Sequence, residues 1–124
     1  ESSVMKVLIT GSREWTDGEV IYAALSKLPK STIIVHGAAR GADTYAESAA
    51  TQLGLSMDRY PADWNTHGKA AGPFRNQQML DAGVDLVLAF HPDLDSSKGT
   101  RDMVNRAMKA GIPVVLFVAS RGET

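Results

Sequence analysis

Short runs of aliphatic and β-branched residues alternate along the chain with longer stretches in which apolar residues recur every three or four positions. "VMKVLIT" (Val4 to Thr10) predicts a buried strand ended by Gly11. Asp17 to Leu28 predicts a helix, with Val20, Ile21, Ala24, Leu25 and Leu28 on one face. "TIIVH" (Thr32 to His36) predicts a second strand that runs directly into "GAARGAD". Ala42, Tyr45, Ala46, Ala49, Ala50 and Leu53 then keep the spacing of one helical face, and Gly54 stops that helix. "LSMDRY" is a short third strand. Phe74 to Ala82 predicts a helix and "VDLVLAF" (Val84 to Phe90) a strand, followed by a loop, "HPDLDSSKG". Thr100 to Ala110 predicts a helix with Met103, Val104, Ala107 and Met108 inward, and "IPVVLFV" (Ile112 to Val118) the last strand.

Apolar strands separated by helices predict an α/β domain: a parallel sheet of about five strands with helices on both faces. In such sheets ligands bind beyond the carboxyl ends of the strands, near the point where the strand order reverses. The segments that follow strands here are "GSREW", "HGAARGAD", "PADWNTHGKAAGPFRN" and "HPDLDSSKGT". Nearly all the unusual chemistry of the chain lies in them, so the site is expected at one edge of one domain.

A length of 124 residues fits a single domain over residues 1–124, with "ESSV" ahead of "MKVLIT" read as an expression scar. The 44% apolar and 22% charged content is that of a globular protein. A net charge of -1 argues against a nucleic-acid or anionic-membrane partner. No apolar run approaches a membrane span, and no signal peptide is seen. With no cysteine, disulfides and thiolate chemistry are excluded, which fits a cytoplasmic setting.

Two nucleotide motifs fail. "GSREWTDG" is not G-x-G-x-x-G, the second strand ends in His36 rather than an acid, and no P-loop is present. "GAARGAD" remains, with Gly37 and Gly41 bracketing a turn onto a helix. Free N–H groups at a helix start form an anion site to which Arg40 adds a bidentate contact; alternatively this is a tight turn with Asp43 favouring the helix N-terminus. "KGT" offers Gly99 and Thr100 in the same way, or Thr100 simply as an N-cap. "GSR" (Gly11, Ser12, Arg13) is equally open when taken alone. Cations and acids are interspersed in these segments, which suits a small phosphate-bearing ligand better than a long phosphate backbone. Arg75 follows a Gly-Pro pair that starts a helix, near free N–H groups. Trp64 can stack on a base or cap the sheet edge as core, whereas Trp15 fits core. His36, His67 and His91 lack metal-binding spacing, so neither a metal nor a cofactor is expected.

"GSREWTD", "HGAARGAD", "PADWNTHGKAAGPFRNQQM" and "KGTRDM" together resemble the YspA/YpsA-related branch of the SLOG superfamily, in order, from Lys6 to about Val118. The resemblance implies a Rossmann-like fold and a pocket for nucleotides or nucleotide-derived ligands. Its LOG members are phosphoribohydrolases that release the base from a nucleoside 5′-monophosphate; other relatives sense nucleotide signals, and the DprA branch binds single-stranded DNA. By position, Gly37, Arg40 and Gly41 match the glycine-rich turn. Arg75 matches the arginine of the LOG "RKxxM" element, and Gly99 and Thr100 match the start of "PGGxGTxxE". Met103 stands where the catalytic Glu of that element belongs, with Asp102 one place earlier, about 100° around the helix.

The expected function is therefore binding of a nucleotide-derived ligand, as sensor or sequestering protein. Hydrolysis of the N-glycosidic bond is the alternative, and single-stranded DNA binding a distant third. Lys69 and Arg75 are expected on phosphate, Trp64 or Asp63 on base or sugar, and Asn76 beside them. For hydrolysis the candidates are Arg75 with Asp102 or Asp43. Glu47 reads as solvated. Relatives are often dimers; Met103, Met108 and Tyr45 are open either to a homodimer interface or to core packing.

Overall fold

The computed structural model describes residues 5–12, 15–38, 41–91 and 98–117. In chain order the elements are β1 (Lys6–Gly11), α1 (Gly18–Ser26), β2 (Ile33–His36), α2 (Ala42–Leu53), β3 (Ser56–Arg59) and α3 (Trp64–His67). A 3-10 turn (Gly68–Ala70), α4 (Ala71–Asp81), β4 (Leu86–Phe90), α5 (Lys98–Lys109) and β5 (Val114–Phe117) follow. The five strands form one parallel sheet in the order β3-β2-β1-β4-β5, so the order reverses between β1 and β4. The fold is the expected α/β, Rossmann-like one.

β1 lies at the centre, and Val7, Leu8 and Ile9 are wholly buried because each face of the strand is covered. Val7 and Ile9 pack with Ile34, Leu88 and Phe90 under the apolar faces of α1 and α2. Leu8, Val35 and Val87 face the other way, against Met79 and Leu80 of α4 and Met103 and Ala107 of α5. Trp15 is core as well, edge-on to Phe90, with its Nε1–H donating to the Asp17 carbonyl. Met103 therefore belongs to the core, whereas Met108 and Tyr45 reach solvent.

The helix ends follow local chemistry. Asp17 caps α1, its Oδ1 accepting from Val20 N, so that helix starts one residue later than its periodicity suggests. Gly54 closes α2 at φ 76°, a left-handed conformation that glycine adopts without strain. α5 starts at Lys98, which places Thr100 inside its first turn and buried, not at an N-cap. α4 starts at Ala71, ahead of Gly72 and Pro73, because the preceding 3-10 turn runs straight into it and the Ala71 N–H is taken by the Gly68 carbonyl. Proline is tolerated in a first turn. Arg75 is therefore the fifth residue of α4, past the free N–H groups expected near it. Among the described residues no helix is long and apolar enough to cross a membrane.

Candidate functional site

The carboxyl ends of the strands are knotted together by backbone. The Ser12 N–H donates to the Phe90 carbonyl at 2.9 Å, and the Ser12 carbonyl accepts from Ala42 N at 3.0 Å. β1, β4 and the start of α2 thus meet at one point, and Gly11 makes the approach possible. A Cβ on Gly11 would lie 2.6 Å from Ala42 Cβ and closer still to the Phe90 carbonyl.

The turn after β2 uses several of its amides structurally. Among the described residues, three of its amides are taken up inside the fold: Gly37 N donates to Asp43 Oδ2 at 3.2 Å, Ala38 N to His36 Nδ1 at 3.0 Å, and Ala42 N to the Ser12 carbonyl. Asp43 is therefore a buried brace for the turn, beyond any effect on the helix dipole. Ala38 holds φ 58°, which costs a residue with a Cβ about 1–2 kcal/mol. Gly41 precedes α2 at φ 80°. Arg13 and Arg40 lie outside the described residues, as does most of the loop after β4.

Arg75 and Asn76 form the second knot. Arg75 Nη1 donates to the Gly37 carbonyl at 2.7 Å and to the Tyr60 carbonyl at 3.2 Å, tying the ends of β2 and β3 to α4. Its Nε donates to Asn76 Oδ1 at 3.1 Å. Buried Asn76 in turn donates through Nδ2 to Asp102 Oδ2 at 3.0 Å and toward the Gly99 carbonyl at 3.4 Å. Asp102 Oδ2 also accepts from Arg106 Nε at 2.8 Å. One amide side chain thus bridges two of the expected catalytic residues, Arg75 and Asp102, while Asp43 braces the other side of the β2 turn. A Cβ on Gly99 would meet nothing within 4 Å, so the fold itself does not demand glycine there.

Trp64 does not cap the core. It is 50% exposed on α3, with its Cη2 lying 3.5 Å from where a Cβ on Gly72 would stand. Asp63 caps α3, its Oδ1 accepting from Thr66 N at 3.1 Å, and hydrogen bonds from Thr66 hold its carboxyl below the ordinary range. The carboxylate expected on a base or sugar thus has a task within its own turn. Lys69 is exposed in the 3-10 turn, and His67 lies against Phe74 with ring centroids 4.5 Å apart.

One cluster escapes the sequence reading. His36, Glu47 and Arg59 line an open cavity of about 810 Å³ between α2 and the edge strand β3, together with Asp43, Thr44 and Ser48. Arg59 grips Glu47 with two parallel bonds, Nε to Oε1 at 2.8 Å. His36 Nε2 stands 3.2 Å from the same Oε1, at ion-pair distance but off the line of a good hydrogen bond. Burial pushes the His36 imidazole below its ordinary value against the pull of Glu47, and the Arg59 bonds hold Glu47 below its own. Glu47 is thus an organised acid rather than a merely solvated one. The spacing carried the signal: His36 shares a face with Ile34, and Asp43 and Glu47 are one helical turn apart. Among the described residues no group of three or more His, Asp or Glu side chains is placed to hold a metal.

Comparison with known proteins agrees with the fold. Residues 5–67 match the YspA, cpYpsA-related SLOG family. The chain is 45% identical over 121 residues to the Gene 61 protein of Mycobacterium phage D29, covering 90% of this chain and 95% of that one. In fold it is similar to DNA processing protein A (DprA) from Streptococcus pneumoniae, with a TM-score of 0.78 and 21% identity over 97% of this chain. It spans 52% of that protein, about half its length, and at this identity the likeness concerns the fold alone. By its sequence match and by its phage relative, the chain belongs to the YspA, cpYpsA-related SLOG family.

Proposed function

We propose that the chain binds a nucleotide or nucleotide-derived small molecule at the carboxyl edge of its sheet, as a sensor or sequestering protein. The observation that carries this reading is Trp64. A fold that buries Trp15 leaves this second indole half exposed, on a four-residue helix whose tip lies over the first turn of α4. A base stacked on such a ring gains roughly 1–3 kcal/mol. Exposed Lys69 and the partly buried Arg75 supply positive charge nearby in the chain, and Asn76 fixes Arg75 through its Nε. Asn76 also reaches toward the Gly99 carbonyl in the first turn of α5, next to Thr100. Family membership supports the same ligand class. The net charge of -1 favours a small ligand over a nucleic acid strand, although the fold is like that of a DNA-processing protein. Titrating nucleotides against the intrinsic fluorescence of the chain tests the reading. Quenching should occur in the wild type and vanish in Trp64→Phe, whose remaining indole is buried Trp15.

A hydrolytic reading has one observation in its favour, the Asn76 bridge between Arg75 and Asp102. Cleavage of an N-glycosidic bond needs a carboxylate near the sugar and a cation or donor near phosphate or base. Two donors already occupy Asp102 Oδ2, which favours binding over cleavage. Release of free base from a nucleoside monophosphate, lost in Asp102→Asn, would establish the hydrolytic reading.

A further inference from the structure

The turn between β2 and α2 is held from behind by a histidine at the last position of its strand. His36 is wholly buried, and its Nδ1 accepts the N–H of Ala38, two residues on. An imidazole nitrogen that accepts carries no proton, so the ring is neutral with its proton on Nε2, toward Glu47. Among the described residues Ala38 is the one non-glycine in the left-handed region, at φ 58°. A conformation that disfavours a Cβ needs something to over-determine it, and the bond to His36 supplies that. The charged groups acting on the ring are Glu47 from α2, Arg59 from β3 and Arg75 from α4, with Asp43 of α2 lining the same cavity; β1, paired with it through Ile9, adds none. Arg75 also grips the Gly37 carbonyl, so the turn is pinned on both sides of one peptide.

We infer that His36 is a positioning residue for the β2–α2 turn: the neutral imidazole locks Ala38 in its left-handed conformation, and a second ring proton releases it. With both nitrogens protonated, Nδ1–H would face the Ala38 N–H, donor against donor. The amide then loses its acceptor and Ala38 relaxes toward φ < 0. Nε2–H keeps its place beside Glu47, so the ring need not leave its seat. The consequence for ligand binding, and only that, rests on the proposed function: the turn would present its competent shape above the His36 titration and lose it below.

The test is nuclear magnetic resonance on the full chain across about pH 5 to 8, where an imidazole titrates. At the upper end the His36 ring should show a bare Nδ1 and the Ala38 amide should be protected from exchange. On acidification the Gly37 and Ala38 amide signals should move with the midpoint of the His36 ring, and the protection of Ala38 should be lost. His36→Asn retains an acceptor for the amide two residues on, as Asn does in turns, without titrating. It should keep Ala38 protected at every pH, whereas His36→Leu should lose protection throughout. An Ala38 amide that ignores the His36 titration, or a neutral ring with its proton on Nδ1, would overturn the inference; if His36→Leu does not fold, the wild type and His36→Asn still decide. ADP-ribose, whose own charge is constant over this range, adds the functional arm. Its affinity should fall on acidification in the wild type and stay level in His36→Asn. No ADP-ribose binding at any pH would count against the binding reading for this probe and leave the amide result standing.

Discussion

Arg75 Nη1 lies 2.7 Å from the Gly37 carbonyl oxygen, and a Cβ on Gly37 would overlap that same nitrogen. The glycine of the turn and the arginine of α4 are thus one device: the missing side chain at position 37 is the space the guanidinium occupies. The family resemblance assigns Arg75 to substrate, and the structure shows it also joining the ends of β2 and β3. The structural role follows from a planar group whose Nη1 and Nε donate to two carbonyls and to the Asn76 amide oxygen.

Two glycine substitutions separate this device from plain steric need. In Gly37→Ala the obstacle is the far end of a flexible side chain, so Arg75 swings away and the cost is its hydrogen bonds, about 1–3 kcal/mol. In Gly11→Ala the obstacles are the Phe90 backbone and Ala42, which cannot swing, so the loss should be larger. Urea unfolding midpoints should rank wild type above Gly37→Ala above Gly11→Ala. In a double-mutant cycle, Gly37→Ala should add little to Arg75→Ala; additive losses would show that the two residues act separately.

Asn76 is the buried hinge of the second knot. Asn76→Ala strands the groups it serves and should cost about 1–3 kcal/mol. Asn76→Asp should cost more near neutral pH, because it sets a second carboxylate against Asp102 Oδ2 and offers no donor. The introduced carboxyl can donate once protonated, so that variant, unlike Asn76→Ala, should regain stability relative to wild type on mild acidification. Chemical denaturation at two pH values checks the contrast.

Stability should fall in two steps as the pH is lowered. His36 titrates below its ordinary 6.5 in the folded chain, so the unfolded chain takes up the proton first. The stabilisation it reports is complete above 6.5 and is lost as the pH falls through the folded value. Glu47 lies below its ordinary 4.5 because Arg59 holds it charged, so its share is complete above 4.5 and is lost further down. His36→Asn should remove the upper step and leave the lower, and Glu47→Gln should shrink the lower, to which Asp63, also held below its ordinary value, still contributes. Because the Glu47–Arg59 pair is largely exposed, its step should be small.

The sheet was legible because its central strands are buried on both faces and read as unbroken aliphatic runs; β1, β2 and β4 fall within two residues of their expected bounds. Even edge strand β3 lies inside "LSMDRY". The stretch from Pro61 to Met79 was legible in its chemistry but not in its shape. "WNTHGKA" has no apolar periodicity, so α3 and the turn after it were hidden, although Asp63 three residues ahead of Thr66 was a capping signal. Gly72-Pro73 reads as a helix start, and the structure uses it inside a first turn, which moved Arg75 out of reach of free amides. The spent amides of Gly37 and Ala38 were beyond sequence reasoning, because a nitrogen two residues from an imidazole leaves no periodic trace.

Arg75 should affect fold and ligand together. Arg75→Ala is expected to weaken a phosphate-bearing ligand by about 1.5–3 kcal/mol, the range for hydrogen bonds to a charged group, and to lower stability as well. Arg75→Lys keeps the charge without the fork that reaches two carbonyls and Asn76, so it should retain more affinity than stability. Calorimetric binding beside unfolding midpoints separates the two. Equal affinity in all three proteins would remove Arg75 from the ligand.

The most direct test of the central claim is native mass spectrometry of the intact chain with nucleoside monophosphates, ADP-ribose and cyclic nucleotides, followed by analysis of the same samples for free base. The account predicts at least one nucleotide retained in one-to-one stoichiometry, uncleaved, and retention lost in Trp64→Ala. A panel that leaves no retained nucleotide would contradict it, as would retention indifferent to Trp64.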